Sequence, residues 1–121
     1  MAVTAFEHIN TRCADVEATR AFYERCIGLT VGPRPAFASK GYWMYLNGHP
    51  VLHLVQRPAG EPAKADTGNL DHLAFRGTDL SQTKATLTAA AIAFRERAAP
   101  DGAVQIFVLD PDGLKIELNF S

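Results

Sequence analysis

The sequence repeats itself at an offset of 64 residues, and this repeat restricts the possible folds more than any other feature. At this offset the segment 6–9 aligns with 70–73, and the alignment continues without a gap to the end of the chain. Identical residues are few, but apolar and polar positions agree on both sides of the paired histidines. We predict a single domain made of two repeats, about residues 4–57 and 68–121, joined by a Pro- and Gly-containing linker at 58–67.

Each repeat carries the signals for a strand, a helix and three further strands. The first repeat is predicted to have a strand at 5–11, a helix from 16 to about 27, and strands at 30–33, 42–46 and 51–56. The second is predicted to have a strand at 70–76, a helix at 80–91, and strands at 93–97, 105–109 and 114–120. Asp15 and Asp79 are suited to cap the helices, and Asn47-Gly48 is a typical hairpin turn. The fold class is therefore α+β, with two βαβββ modules.

Composition and charge exclude several classes of function. Of the 121 residues, 47% are hydrophobic and 21% are charged, as in an average soluble domain. The net charge is −1 without a block of like charge, so we expect no binding to nucleic acid or to a membrane. We recognise neither a membrane span nor a signal peptide, and we expect a cytoplasmic protein. Cys13 and Cys26 make no disulfide framework and are expected to be buried.

Four candidate metal ligands fall at equivalent places in the two repeats. His8 and His72 lie on the first strands, and His53 and Glu117 lie on the last strands. Glu117 stands within an apolar run, where a carboxylate without a partner would be costly, and a metal ion or an arginine would remove that cost. Two imidazoles and a carboxylate suit Fe(II), Mn(II), Ni(II) or Zn(II) and leave coordination positions open for water or substrate.

Each of these residues also has a plainer interpretation. A histidine on a strand is more often structural than a ligand, and Glu117 could form a buried ion pair with Arg12 or Arg76. His53 could line a pocket, and His49 is expected on the surface. Two further groups could either form a substrate site or belong to the core and the solvated surface: the aromatics Phe37, Trp43, Tyr45 and Phe107, and the cations Arg34, Arg76 and Arg95.

Several segments resemble the vicinal oxygen chelate superfamily, which comprises glyoxalases, bleomycin-resistance proteins and extradiol dioxygenases. In the first repeat these segments are His8-Ile9-Asn10 and residues 15–29, and in the second they are residues 70–75 and 110–118. The resemblance covers essentially the whole chain. It implies the fold of that superfamily, in which curled mixed sheets form a metal-containing cup, and it implies a small-molecule substrate.

The resemblance also implies a ligand set and a type of chemistry. His8, His72 and Glu117 match the superfamily's two histidines and one glutamate, and His53 stands where glyoxalase I usually has a glutamate. The implied protein is a lyase, isomerase or dioxygenase whose divalent ion (Fe, Mn, Ni or Zn) holds adjacent substrate oxygens and stabilises an oxyanion. Glu117 and His53 are the implied catalytic residues, with His53 as a fourth ligand or a base. The implied assembly is a homodimer in which His8 and His53 of one chain face His72 and Glu117 of the other.

Two alternatives stay open. A metal-free drug- or metabolite-binding protein of the bleomycin-resistance type would use the same cavity, although such proteins typically lack the ligand set that this chain retains. Fosfomycin-resistance thiol transferases are similar in length and use a comparable triad. Their potassium-binding and phosphonate-holding residues, however, cannot be located in this sequence.

Overall fold

Each half of the chain folds as a strand, a helix and three more strands, which confirms the predicted α+β class and βαβββ order. The computed structural model describes residues 2–121, and the boundary between its two units lies between Pro62 and Ala63. Unit 1 contains β1 (Ile9–Cys13), α1 (Val16–Phe22), a π-helical turn (Tyr23–Ile27), β2 (Thr30–Gly32), β3 (Gly41–Leu46) and β4 (His49–Gln56). Unit 2 contains β5 (His72–Arg76), α2 (Leu80–Ala89), β6 (Arg95–Ala98), β7 (Val104–Leu109) and β8 (Lys115–Phe120).

Each unit has one four-stranded mixed sheet, and the pairing register of the sheets repeats at the sequence offset. The strand order is β1-β4-β3-β2 in unit 1 and β5-β8-β7-β6 in unit 2. β1 runs parallel to β4, and β5 runs parallel to β8, while the other neighbours are antiparallel. Trp43 lies opposite His53 just as Phe107 lies opposite Glu117. His53 and Glu117 therefore occupy equivalent positions in the two sheets.

One face of each sheet forms the core of its unit, and in unit 1 the helix α1 packs against β1, β3 and β4. In unit 2 this face carries Ile106, Val108, Ile116 and Leu118, which are all buried, and Leu87 of α2 is fully buried with them. Burial of each such side chain contributes about 1.5–3 kcal/mol. Alternation along the strands places the residues between them on the opposite face, which we call the open face of the sheet.

The ends of the elements follow local chemistry. The side chain of Asp15 accepts hydrogen bonds from the backbone amides of Glu17 and Ala18, so the predicted cap is confirmed. Gly28 ends the π-helical turn in the left-handed conformation, with φ of 90°. β1 and β5 are shorter than predicted and begin at Ile9 and His72, where their parallel ladders with the last strands begin. The prediction that His8 lies on the first strand is therefore wrong, because His8 directly precedes β1. None of the helices formed by residues 2–121 is long and apolar enough to cross a membrane.

The end of α2 differs from the prediction. The helix stops at Ala89 rather than near residue 91, because Ala91 adopts a left-handed conformation with φ of 57°. A residue in that conformation cannot continue a right-handed helix, and here the position is not a glycine, which is why the sequence carries no obvious stop signal.

Candidate functional site

The open face of unit 1 carries three stacked rings with His53 at their centre. The His53 ring lies 3.7 Å from the His8 ring, centroid to centroid, with an angle of 11° between the planes. On its other side the Trp43 ring lies 4.1 Å away at 12°. Trp43 is brought there because β3 pairs with β4 at this position. The two flanking rings leave His53 only 8% exposed.

Burial keeps the His53 ring neutral. Desolvation lowers the pKa of His53, and the neighbouring His8 lowers it further. A hydrogen bond to the Pro50 backbone raises this pKa, but by less. Proline has no backbone N–H, so the ring donates to the Pro50 carbonyl. The buried Nε2 atom has no hydrogen-bond partner in the described part of the chain. His53 thus holds a lone pair on Nε2 inside an aromatic stack, which is the form that a base or a metal ligand requires.

His8 and His72 share one arrangement in the two units. The Nδ1 atom of His8 lies 2.9 Å from a carboxylate oxygen of Glu7, and Nδ1 of His72 lies 2.8 Å from one of Asp71. Both imidazoles are about one-third exposed, at 32% and 37% of the side chain. Histidines that bind metals commonly donate their second ring N–H to a carboxylate, which fixes the tautomer and directs the other nitrogen to the ion. Both side chains are oriented for such a role through Nε2.

Glu117 is held close to His72 on the open face of unit 2. Its Oε1 atom lies 3.8 Å from Nε2 of His72, too long for a hydrogen bond. Two ligands that each lie about 2.1 Å from one ion are separated by roughly 3–4 Å, so this pair fits around a divalent metal. Asn119 donates to Oε2 at 2.9 Å and Gln105 donates to Oε1 at 3.3 Å. These two amides compensate a carboxylate that is only 12% exposed.

Two cations, Lys115 and Arg97, fix the residues that orient His72 and Glu117. Lys115 lies 2.8 Å from the Asp71 carboxylate, and this contact, followed by that of His72, lowers the pKa of Asp71. Asp71 therefore stays ionised and keeps the His72 ring oriented. On the other side, Nε of Arg97 donates to Oε1 of Gln105 at 2.9 Å. That bond fixes the Gln105 amide with its NH₂ group directed at Glu117.

The alternative of an ion pair between Glu117 and an arginine is not formed. Arg12 binds the carboxylate of Glu61 through both terminal nitrogens of its guanidinium. Arg76 makes no ion pair with Glu117 in the described chain. His49 is exposed, as expected, and its Nε2 lies 2.6 Å from the Glu7 carbonyl oxygen.

The structure brings the four candidates together as two pairs, His8 with His53 and His72 with Glu117. Among residues 2–121 no group of three or more His, Cys, Asp or Glu side chains is placed to hold one ion. An ion binds imidazole in the ring plane, about 2.1 Å from nitrogen. Rings stacked face to face share no plane, so His8 and His53 in this arrangement cannot bind the same ion. Cys13 and Cys26 are buried thiols, as expected.

Sequence reasoning missed the acidic residues that orient the two histidines. Glu7 and Asp71 each directly precede a histidine, and they are related by the repeat offset. That coincidence was a usable signal, because a carboxylate at the same place in both repeats points to a shared function. The amides Gln105 and Asn119 were also missed. They follow from the register, which places Gln105 opposite Asn119 beside Glu117.

Comparison with known proteins identifies the family of this chain. The family model of the Glyoxalase/Bleomycin resistance protein/Dioxygenase superfamily matches residues 5–118. Glyoxylase I 4 of Arabidopsis thaliana is 27% identical over 124 residues, which cover 96% of this chain and 70% of that protein.

Solved structures share the fold. A glyoxylase/bleomycin resistance protein/dioxygenase domain from Frankia sp. EAN1pec superposes with a TM-score of 0.81 at 20% identity, covering 99% of this chain and 93% of that one. A protein of Bacillus anthracis described as of the glyoxalase family gives 0.76 at 23% identity, covering 100% and 98%. The resemblance seen in the sequence is thereby confirmed. Because the family model spans nearly the whole chain, this protein belongs to the Glyoxalase/Bleomycin resistance protein/Dioxygenase superfamily, the vicinal oxygen chelate superfamily.

Proposed function

We propose that this protein is a metal-dependent enzyme acting on a small molecule with two adjacent oxygens. Its ligands are His8, His72 and Glu117, and its ion is Fe(II), Mn(II), Ni(II) or Zn(II). The observation that carries the proposal is the separation of 3.8 Å between Nε2 of His72 and Oε1 of Glu117. The second polar atom of each group is already hydrogen-bonded, Nδ1 of His72 to Asp71 and Oε2 of Glu117 to Asn119. Oε1 accepts only a long bond of 3.3 Å from Gln105 and keeps lone-pair capacity for a ligand that it shares with Nε2 of His72.

A bound divalent ion would supply a positive charge that holds both substrate oxygens and stabilises negative charge on one of them. We assign to His53 the movement of a proton. Its neutral ring keeps a lone pair on Nε2, and the flanking rings of His8 and Trp43 fix its plane. A buried base with a lowered pKa remains unprotonated at neutral pH, which is the state that accepts a proton from a substrate carbon or oxygen.

We further propose a homodimer with shared sites. Each unit by itself supplies one pair of donors, and a site with three donors requires His8 in addition to the pair of unit 2. In the proposed assembly the partner subunit supplies its histidine at position 8 to the His72 and Glu117 of the first chain. Closed two-fold dimers are the commonest assemblies of soluble proteins, and each would contain two such sites.

Metal binding tests the proposal directly. We would strip the purified protein with a chelator, reload it with each of the four ions under anaerobic conditions, and measure stoichiometry and affinity by elemental analysis and calorimetry. The variants His72→Ala and Glu117→Gln are each expected to lose at least about 10-fold in affinity, as for the loss of a metal ligand or its support. The matched controls are His49→Gln and Glu96→Gln, an exposed histidine and a glutamate that faces α2 instead of the open face.

The controls decide how the result is interpreted. Wild-type affinity in both controls, together with loss in both site variants, supports the proposed ligands. Full metal binding by His72→Ala would overturn the assignment. If the wild-type protein binds none of the four ions, the proposal fails and the metal-free binding protein replaces it.

A further inference from the structure

Two arginines at the edge of unit 2 face the candidate site. Arg95 and Arg97 of β6 lie over the Phe107 ring, with their guanidinium carbons 5.1 and 5.5 Å from its centroid. Glu96, between them, points to the other face of the sheet and binds Lys84 of α2 at 2.7 Å. Within residues 2–121 neither arginine lies within ion-pairing distance of a carboxylate. The two positive charges are therefore available to a ligand.

These arginines belong to the same face as the His72–Glu117 pair. Arg95 lies opposite Phe107, and Phe107 lies opposite Glu117, so the three side chains form one row across the sheet. Residues directly opposite each other in a sheet project from the same face. Neighbouring strands are about 4.8 Å apart, so two strand spacings, roughly 10 Å, separate Arg95 from Glu117. This is the length of a small organic molecule.

A shallow, open cavity of about 420 Å³ lies on unit 2 beside Arg95 and Phe107. Its lining includes Phe94, Arg95, Phe107, Leu109 and Lys115. Cavities of this size suit small ligands, and an apolar lining with a few polar groups is typical of their sites. Lys115 lies opposite Leu109 on one side and His72 on the other, so the cavity adjoins the candidate ligands. The lining therefore offers two cations, Arg95 and Lys115, with apolar side chains between them.

Unit 1 carries one arginine fewer at the same strand edge. Gly32 lies opposite Trp43 as Arg95 lies opposite Phe107 in unit 2, and Thr30 is the other residue of β2 on that face. Arg34, two residues beyond Gly32, lies beside Gly41, as Arg97 lies beside Gln105 in unit 2. The charge without a counterpart in unit 1 is therefore Arg95, so the fold itself does not require it, whereas a role in binding an anion would explain it.

We infer that unit 2 binds an organic carboxylate, with the carboxylate held by Arg95 and an apolar body lying against Phe107. The substrate class of the proposed enzyme is then an organic acid with an apolar or aromatic group. This assignment of the substrate rests on the proposed function, but the binding of the anion does not. Arg97 strengthens the positive potential and also orients Gln105, so Arg95 is the better residue to change.

Titration of the metal-free protein with phenylacetate tests the inference. We would follow backbone amide and arginine Nε–H signals by ¹⁵N-correlated NMR, with phenylacetamide as the uncharged analogue. Phenylacetate is expected to shift the Nε–H signal of Arg95 and the amides of Phe107 and Leu109. Arg95→Gln is expected to weaken phenylacetate binding about tenfold, as is the change to phenylacetamide, because a charge-assisted contact is lost. The control Lys84→Gln changes the net charge equally on the other face and is expected to bind like wild type.

Three outcomes would overturn the inference. They are equal phenylacetate binding by wild type and Arg95→Gln, equal weakening in Lys84→Gln, or shifts that do not include the cavity residues. A metal titration of Arg95→Gln separates this result from the proposed function. Wild-type metal affinity with weakened phenylacetate binding supports the anion site, and a wild-type protein that binds phenylacetate but no metal would refute only the metal-dependent enzyme.

Discussion

The pH dependence of stability should reveal how strongly the stack excludes charge from His53. We would replace His53 by phenylalanine, which keeps an aromatic ring between His8 and Trp43 but cannot be protonated. The folded state lowers the pKa of His53, chiefly through burial, so the unfolded chain binds this proton more readily than the native protein does. Acidification then favours unfolding of the wild type through this residue, and the variant lacks that contribution.

The sign and the size of the effect follow from proton linkage. The stabilising contribution of neutral His53 is complete above its unfolded pKa, near 6.5, and declines as the pH falls from there toward the folded pKa. In that interval one proton changes the free energy of unfolding by at most about 1.4 kcal/mol per pH unit. The phenylalanine ring is larger, so it also changes stability at every pH. The titration of His53 is therefore seen in how the difference in the free energy of unfolding between the two proteins changes with pH.

Urea unfolding of metal-free wild type and His53→Phe, followed by circular dichroism from pH 8 to pH 5, measures that difference. We expect the difference in the free energy of unfolding to be constant above about pH 7. As the pH falls further, the variant should become more stable relative to wild type. A difference that stays constant over the whole range would refute the claim that the fold keeps His53 neutral. A difference that moves in favour of the wild type would mean that the stack stabilises the charged imidazolium instead.

Two further predictions concern the surface of unit 1 and the proposed assembly. The hydrogen bond from Tyr42, followed by that from Lys40, lowers the pKa of Glu17 from 4.5 to about 2, so wild type should lose stability relative to Glu17→Gln as the pH falls from about 4.5 to about 2. Acid unfolding curves of the two proteins measure this, and parallel curves would contradict it. For shared sites, a mixture of His8→Ala and His72→Ala subunits should regain metal binding at about one site per mixed dimer, because one of its two sites keeps all donors. No gain on mixing would refute shared sites.

The architecture was predictable because local signals and the repeat agree. Asp15 precedes the first helix, Asn47-Gly48 joins two strands, and both signals act through neighbouring residues alone. The left-handed conformation of Ala91, which shortens α2, could not be predicted because no glycine marks it. The exact starts of β1 and β5 depend on where the last strand of each unit offers a partner, which is a long-range property.

The candidate site was predictable only in part. Alternation along the strand places Glu117 on the open face, away from Ile116 and Leu118, and this needs no knowledge of the fold. The stack of His8 on His53 depends on how the residue just before β1 is oriented against β4, which local sequence signals do not determine. The arginines of β6 could be noticed in the sequence, but their place beside Phe107 depends on the register of an edge strand with little apolar pattern.

The ring stack in unit 1 has a spectroscopic consequence. Trp43 is the one tryptophan of the chain, and its indole lies 4.1 Å from an imidazole in nearly parallel planes. An imidazolium in van der Waals contact with an excited indole accepts an electron from it, whereas the neutral imidazole does so poorly. Emission from the native protein therefore reports the protonation of one buried histidine without any label. Any ligand or ion that displaces the His53 ring would also change that emission. Trp43 is therefore an intrinsic fluorescent probe of the residue to which we assign proton transfer.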